Sequence, residues 1–201
     1  TLADKATFEE VAYLLLYNKL PNKNELAEYK ALLKSQRDLP QALKEVLQKI
    51  PASAHPMDVM RTGTSMLGNL EPEGDFSNQL NSINRMIASM ASIVTYWYKY
   101  SHDGEDISLV NDEDSMAGHF LHILHGKTPS DLHRKVMDVS LVLYAEHEFN
   151  ASTFTGRVCA STMSDIHSCV VAAIGSLRGP LHGGANEKAM ELIENWTSRE
   201  E

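Results

Sequence analysis

Asn78-Gln79-Leu80-Asn81-Ser82-Ile83-Asn84-Arg85-Met86-Ile87-Ala88-Ser89-Met90-Ala91-Ser92-Ile93-Val94-Thr95-Tyr96-Trp97-Tyr98-Lys99-Tyr100-Ser101 contains neither glycine nor proline. Within it Ile83, Met86, Ile87, Met90, Val94, Trp97 and Tyr98 follow at steps of three and four, with Met86-Ile87 and Trp97-Tyr98 as adjacent pairs. Apolar residues at that spacing share one side of a 3.6-residue helix, so the stretch reads as a long helix whose face packs against something large. The same periodicity continues outward in both directions. Toward the N-terminus, Phe8, Val11, Ala12, Leu15 and Leu16 follow Thr7, which with Glu10 forms the pattern of a capping box, and this helix must stop before Pro21. A second helix is expected over about residues 23 to 36, with Leu26, Tyr29, Leu32 and Leu33 inward. A third is expected over about 40 to 50, with Leu43, Val46, Leu47 and Ile50, and Pro51 closes it. His55-Pro56 then opens a shorter apolar stretch through Met57, Met60 and Met66, ahead of a loop around Glu71-Pro72-Glu73-Gly74.

Toward the C-terminus, residues 113 to 125 and 131 to 147 read as helices separated by Gly126-Lys127-Thr128-Pro129, with Ser130 as a cap. Segments follow over about 151 to 162, from about 164 to Gly179-Pro180, and from about 184 to 196. No stretch alternates polar and β-branched residues between turns, and no βαβ rhythm is present, so the fold class is all-α. With 201 residues, 43% of them hydrophobic, the chain can bury a sizeable core, which excludes wholesale disorder.

Charge and cysteine usage narrow the function classes. Asp and Glu outnumber Lys and Arg by 27 to 18, a net charge of -9, which is the wrong sign for a nucleic-acid surface. Cys159 and Cys169 stand ten apart with no CxxC, supporting neither a disulfide framework nor a cysteine zinc site and pointing to a reducing, cytoplasmic setting. No apolar run reaches the roughly 18 residues of a membrane span, and Thr1-Leu2-Ala3-Asp4-Lys5 carries no signal-peptide core. A membrane partner is therefore not expected.

Phosphate-cradling GxGxxG and P-loop patterns are absent. His147-Glu148-Phe149-Asn150-Ala151 begins like HExxH, but alanine in the fifth position removes the second imidazole of a zinc-protease helix. His119, His122 and His125 drift around a helix at successive steps of three, so they read as packed or surface histidines and no metal is assigned to them. Asp112, Glu113 and Asp114 upstream suit the positive end of the following helix. Two other segments carry more chemistry. In Gly179-Pro180-Leu181-His182-Gly183-Gly184-Ala185-Asn186 a histidine sits on a slim turn before a helix N-terminus whose unpaired amides are expected to face an anionic or carbonyl-bearing ligand. In Glu146-His147-Glu148-Phe149-Asn150-Ala151-Ser152-Thr153, dense hydrogen-bonding capacity follows an apolar helix end and could orient a small polar substrate. Both segments also fit blander roles: a Gly-Pro junction whose histidine caps a neighbour, and a C-cap followed by an N-cap.

Together the two segments resemble the citrate synthase family, and the wording is closest to its 2-methylcitrate synthase branch. The resemblance also takes in Phe8-Glu9-Glu10-Val11-Ala12, Leu20-Pro21, His55-Pro56-Met57-Asp58-Val59-Met60-Arg61-Thr62, Tyr96-Trp97-Tyr98, Gly118-His119-Phe120-Leu121-His122 and Leu143-Tyr144-Ala145. It implies a mostly helical homodimer in which this chain, residues 1 to 201, is the large helical domain, incomplete at both ends, with the small domain absent from it. It implies a Claisen-type condensation of an acyl-CoA with oxaloacetate, propionyl-CoA in the 2-methylcitrate branch of propionate catabolism and acetyl-CoA in citrate synthases proper, with no cofactor because the acyl-CoA is a substrate.

By the same resemblance His182 is the catalytic histidine that donates to the thioester carbonyl, and Gly183 keeps its turn slim. His147 binds oxaloacetate, and Asn150 and Ser152 orient that ligand or His182. The second catalytic histidine, the aspartate base and the arginines holding carboxylates and CoA phosphates are expected outside this chain, which alone is expected to be inactive. The helices at about 55 to 69 and 78 to 101 are expected across the dimer interface, although the broad apolar face of the second suits an intrachain core equally well. A non-catalytic helical dimerisation fragment is the competing reading from another class.

Overall fold

In the computed structural model residues 1–196 are described, and every regular element among them is helical. The order is α1 (Leu2–Lys5), α2 (Phe8–Tyr17), α3 (Lys23–Ser35), α4 (Gln41–Gln48), α5 (Pro56–Leu70), a single 3-10 turn, and α6 (Gln79–Tyr98), which loosens into a π turn at Lys99–Asp103. There follow α7 (Met116–His125), α8 (Asp131–Tyr144), α9 (Ala151–Ser161), α10 (Ile166–Leu177) and α11 (Gly184–Glu194).

Side-chain caps set most of the starts. The Thr7 hydroxyl accepts the Glu10 N–H while Glu10 accepts the Thr7 N–H at 2.7 Å, and Asn22 and Glu25 repeat the arrangement at α3. Ser115, Ser130, Asn150 and Asp165 each accept the N–H three residues on. These bonds satisfy amides that a helix otherwise leaves unpaired. The helix expected from residue 113 therefore begins at Met116. In the acidic run before it Glu113 pairs with Arg134 at 3.1 Å and Asp114 with Lys34 at 3.2 Å, and the Glu113 carboxylate lies against Gly118 in the first turn of α7. Likewise α8 stops at Tyr144 rather than 147, since Glu146 folds back onto the Glu148 N–H and Glu148 adopts a left-handed φ of 55°.

The core forms around α6. Its Met86, Ile93, Tyr96 and Trp97 pack with Leu39, Leu43 and Leu47 from the α4 region, Val59 and Leu67 of α5, Leu109 and Ile123. On another side Ala88 meets Ala12, Tyr29, Leu33 and Met116. The buried surface of α6 is broader than its large apolar residues indicate, because Asn84, Ala88, Ser89, Ser92 and Thr95 are also buried. Small side chains let neighbouring helices approach, and at Gly63 of α5 an added Cβ would overlap Ile93. Asn84 is accommodated by accepting from the Tyr29 hydroxyl and donating to that of Tyr17, both at 3.1 Å. Tyr98, expected inward, is exposed, since it stands roughly 100° around the helix from Trp97. A hairpin of α9 and α10 lies against α5 through α10 and carries the C-terminal part of the site.

Candidate active site

The turn between α10 and α11 is closed by its own backbone. The Gly179 carbonyl accepts from the His182 N–H at 3.0 Å and the Gly184 N–H at 3.2 Å; the Ala185 and Asn186 amides bond the His182 and Gly183 carbonyls, each at 3.1 Å. The leading amides of α11 are thus spent within the turn, which corrects the expectation that they face a ligand. Nor does either glycine of the pair take a positive φ. Gly183 is required by space instead: a Cβ there would lie 2.5 Å from the Leu177 carbonyl oxygen and 2.8 Å from Leu177 Cδ1.

A different helix start meets the imidazole. His182 Nε2 lies 3.3 Å from the Ser152 backbone N and 2.9 Å from Ser152 Oγ, in the first turn of α9. The Ser152 amide hydrogen is fixed by the helix and cannot rotate away, which assigns the lone pair to Nε2 and the proton to Nδ1. Asn150 holds the same turn in place, its Oδ1 accepting from the Thr153 N–H at 2.8 Å and standing 2.6 Å from the Ser152 hydroxyl, whose one hydrogen is shared between that oxygen and Nε2. His182 is thereby presented as a neutral ring with a single N–H to offer.

His147 is exposed, with its ring 5.8 Å from that of Tyr144 between centroids. A cleft of about 970 Å³ is lined by Glu146, His147, Asn150, Ser152, His182 and Gly183 together with neighbouring residues. All five residues singled out in the sequence, His147, Asn150, Ser152, His182 and Gly183, therefore border one cleft, although thirty or more positions separate the two groups. The cleft combines a single N–H donor, a second imidazole and a helix N-terminus, which suits a carbonyl group beside a carboxylate.

Two contacts around the site carried no signal in the sequence. His55 Nε2 is 2.7 Å from Glu187 Oε1, and Arg178 Nε is 3.6 Å from Asp58 Oδ2. His55-Pro56 reads only as a helix start, and partners more than a hundred residues apart leave no local pattern. The three-histidine run is dispersed. His119 is fully buried, bonded by Ser92 Oγ at 3.1 Å and Asn111 Nδ2 at 2.9 Å, and burial, with Arg37 and His122 nearby, pushes its imidazole down to about 3. Among the described residues no group of three or more His, Cys, Asp or Glu is placed to hold a metal ion, Cys159 and Cys169 are free thiols, and no helix is long and apolar enough to cross a membrane.

The family described as "citrate synthase, C-terminal domain" matches residues 1–201. The chain belongs to the citrate synthase family. Among its relatives, a 2-methylcitrate synthase of Shewanella oneidensis is 69% identical over 194 residues, covering 96% of this chain and 52% of the relative. A citrate synthase of Deinococcus radiodurans is 41% identical, with 96% and 52% covered. Among solved structures, the citrate synthase of Thermoplasma acidophilum in ternary complex with carboxymethyl coenzyme A and oxaloacetate superposes with a TM-score of 0.89 at 29% identity, covering 98% of this chain and 52% of that one. The Thermotoga maritima citrate synthase gives 0.84 at 35% identity, with 98% and 52% covered. The chain spans about half the length of the curated relatives it matches.

Proposed function

We propose that the protein is a 2-methylcitrate synthase, condensing propionyl-CoA with oxaloacetate to 2-methylcitrate and CoA in propionate catabolism, and that this chain is the large-domain portion that carries its oxaloacetate cleft and thioester donor. The observation behind the reading is the His182 ring, fixed by the Ser152 amide on a cleft that His147 also lines. The reaction removes a weakly acidic hydrogen from the carbon beside a thioester, and negative charge then builds on the carbonyl oxygen. A neutral imidazole N–H at that oxygen stabilises the enol-like species without a full opposite charge, and the bond strengthens as the proton leaves. The α9 N-terminus, by donating to Nε2, keeps the remaining proton on the nitrogen that faces substrate. His147, beside the same helix start, is the oxaloacetate ligand, with Asn150 shaping the turn behind it. No carboxylate of this chain is assigned as the base, and the half-exposed Ile83 and Val94 with Tyr98 on α6 are offered to a second copy in a homodimer.

The 69% identity to a 2-methylcitrate synthase, against 41% to a citrate synthase, supports propionyl-CoA over acetyl-CoA as the acyl substrate. One methylene is worth only about 1 to 3 kcal/mol, so acetyl-CoA is expected as a poorer second substrate. In the full-length enzyme kcat/KM for propionyl-CoA should exceed that for acetyl-CoA, and His182→Ala should lower kcat by at least about a hundredfold with the fold intact, the scale for removing one transition-state donor. A preference for acetyl-CoA overturns the branch, and an unchanged kcat overturns the role of His182.

A further inference from the structure

Little apolar packing holds the turn that carries His182. Among the described residues α11 buries no side chain, and Leu181, next to the histidine, is 99% exposed. Polar contacts reach from both flanks of the turn to one place, the start of α5. Downstream, Glu187 in the first turn of α11 accepts from His55: the His55 Nδ1 takes the Met57 N–H at 3.1 Å as the helix cap, so the hydrogen sits on Nε2, 2.7 Å from Glu187 Oε1. Upstream, Arg178 closes α10 with its Nε 3.6 Å from Asp58 Oδ2, and Asp58 also pairs with Arg61 at 3.1 Å. His55 and Asp58 are three residues apart and so share one side of the helix start. That start is rigidly based, because Val59 and Leu67 of α5 are fully buried.

We propose that His55 and Asp58 clamp the two flanks of the Gly179 to Gly183 turn, with His55 and Glu187 as positioning residues that set where His182 meets the thioester. The proposal rests on the reading of His182 as the donor. Glu187 is half-exposed, and the bond from His55 holds its carboxyl below the usual range. A partly exposed pair of this kind does little for global stability, whereas displacing a reacting group by about an ångström can cost up to a hundredfold in rate. The signature is therefore a loss of turnover with the fold unaffected.

His55→Asn in the full-length enzyme separates the two jobs of this histidine, since asparagine still caps Met57 but is too short to reach Glu187. Both His55→Asn and Glu187→Ala should lower kcat about tenfold while the KM for oxaloacetate stays within about twofold and Tm moves by no more than about 2 °C. Glu187→Gln, which still accepts from Nε2–H, should stay within about threefold of wild type, and the double variant His55→Asn/Glu187→Ala should be no worse than either single one. Unchanged kcat in both single variants overturns the clamp, as does a loss that tracks a fall in Tm and is not restored by Glu187→Gln. His182→Ala measured alongside separates the two ideas: full activity there defeats the donor reading, whereas an inactive His182→Ala beside fully active clamp variants defeats the clamp alone.

Discussion

A methyl group at position 183 has no room. Built on the present backbone it would stand 2.5 Å from the Leu177 carbonyl oxygen, where ordinary contact begins at 3.4 Å, leaving about 0.9 Å to be found. The Leu177 side chain can swing aside, but its carbonyl belongs to the last turn of α10 and cannot, so the loop must retreat. His182 is the adjacent residue and moves with it. Its bond from the Ser152 amide is already 3.3 Å long, and a retreat of this size takes it beyond hydrogen-bonding range. Both the tautomer and the position of Nδ1–H are then lost, for which the expected fall in kcat is roughly a hundredfold. Stability should change by less than about 1 kcal/mol, because the turn is exposed and alanine accepts the φ of −62° found there. Gly184→Ala serves as the graded comparison: its Cβ would lie 3.1 Å from the Gly179 oxygen, a tightness that a few tenths of an ångström relieve, so kcat should fall by only about two- to fivefold. Steady-state rates of the full-length enzyme with saturating acyl-CoA and oxaloacetate, together with thermal melts, provide the assay. A Gly183→Ala enzyme within twofold of wild type, or a Gly184→Ala enzyme that is the more damaged of the two, would refute the steric argument.

Two further outcomes concern the frame. His119 ionises near 6.5 in the unfolded chain and only near 3 when folded, so as pH drops below 6.5 the unfolded state gains a proton that the folded state refuses; stability should fall by about 1.4 kcal/mol per pH unit, and His119→Gln should flatten that slope between pH 6.5 and 5 in urea titrations, an equal slope counting against it. Leu47→Ala, at a fully buried position facing the α6 core, should cost about 2 to 5 kcal/mol by denaturant unfolding while kcat at low temperature is retained; a loss below about 1 kcal/mol would mean that the site collapses without a cavity.

The helical frame is legible because its signals are local. Thr7 with Glu10, Ser130, and Pro56 behind His55 each act within one turn of themselves, and the structure has a helix starting beside each. Periodicity failed where a polar neighbour competed. Ser115 sets the start of α7 three residues after the expected one, because its hydroxyl, held against the Gly118 amide, satisfies a donor that the helix otherwise leaves unpaired. The inner surface of α6 was likewise legible only in its large residues. Ala88, Ser89 and Ser92 are buried because they are small enough for other helices to come close, and a pattern of apolar side chains does not register smallness.

The site shows the same division between local and distant causes. His182 on a slim turn and the polar run from Glu146 to Thr153 were visible as chemistry, yet the agent acting on the imidazole was misplaced. The expected donor end belonged to α11, next in sequence, whereas the amide that meets Nε2 comes from α9, thirty residues earlier. The reason is geometric. A turn tight enough to bring Gly183 against Leu177 consumes the first amides of the helix it begins, so α11 has none to give its own histidine. The α9 start still has the Ser152 amide to give, because Asn150 caps Thr153 and leaves Ser152 free to point outward. Glycine at 183 and asparagine at 150, both lining the cleft, thus serve one outcome, the first by letting the turn close and the second by leaving an amide for the ring it presents. Neither residue alone announces this in the sequence, and what each one does for His182 follows only once α9 and α10 are folded back on each other.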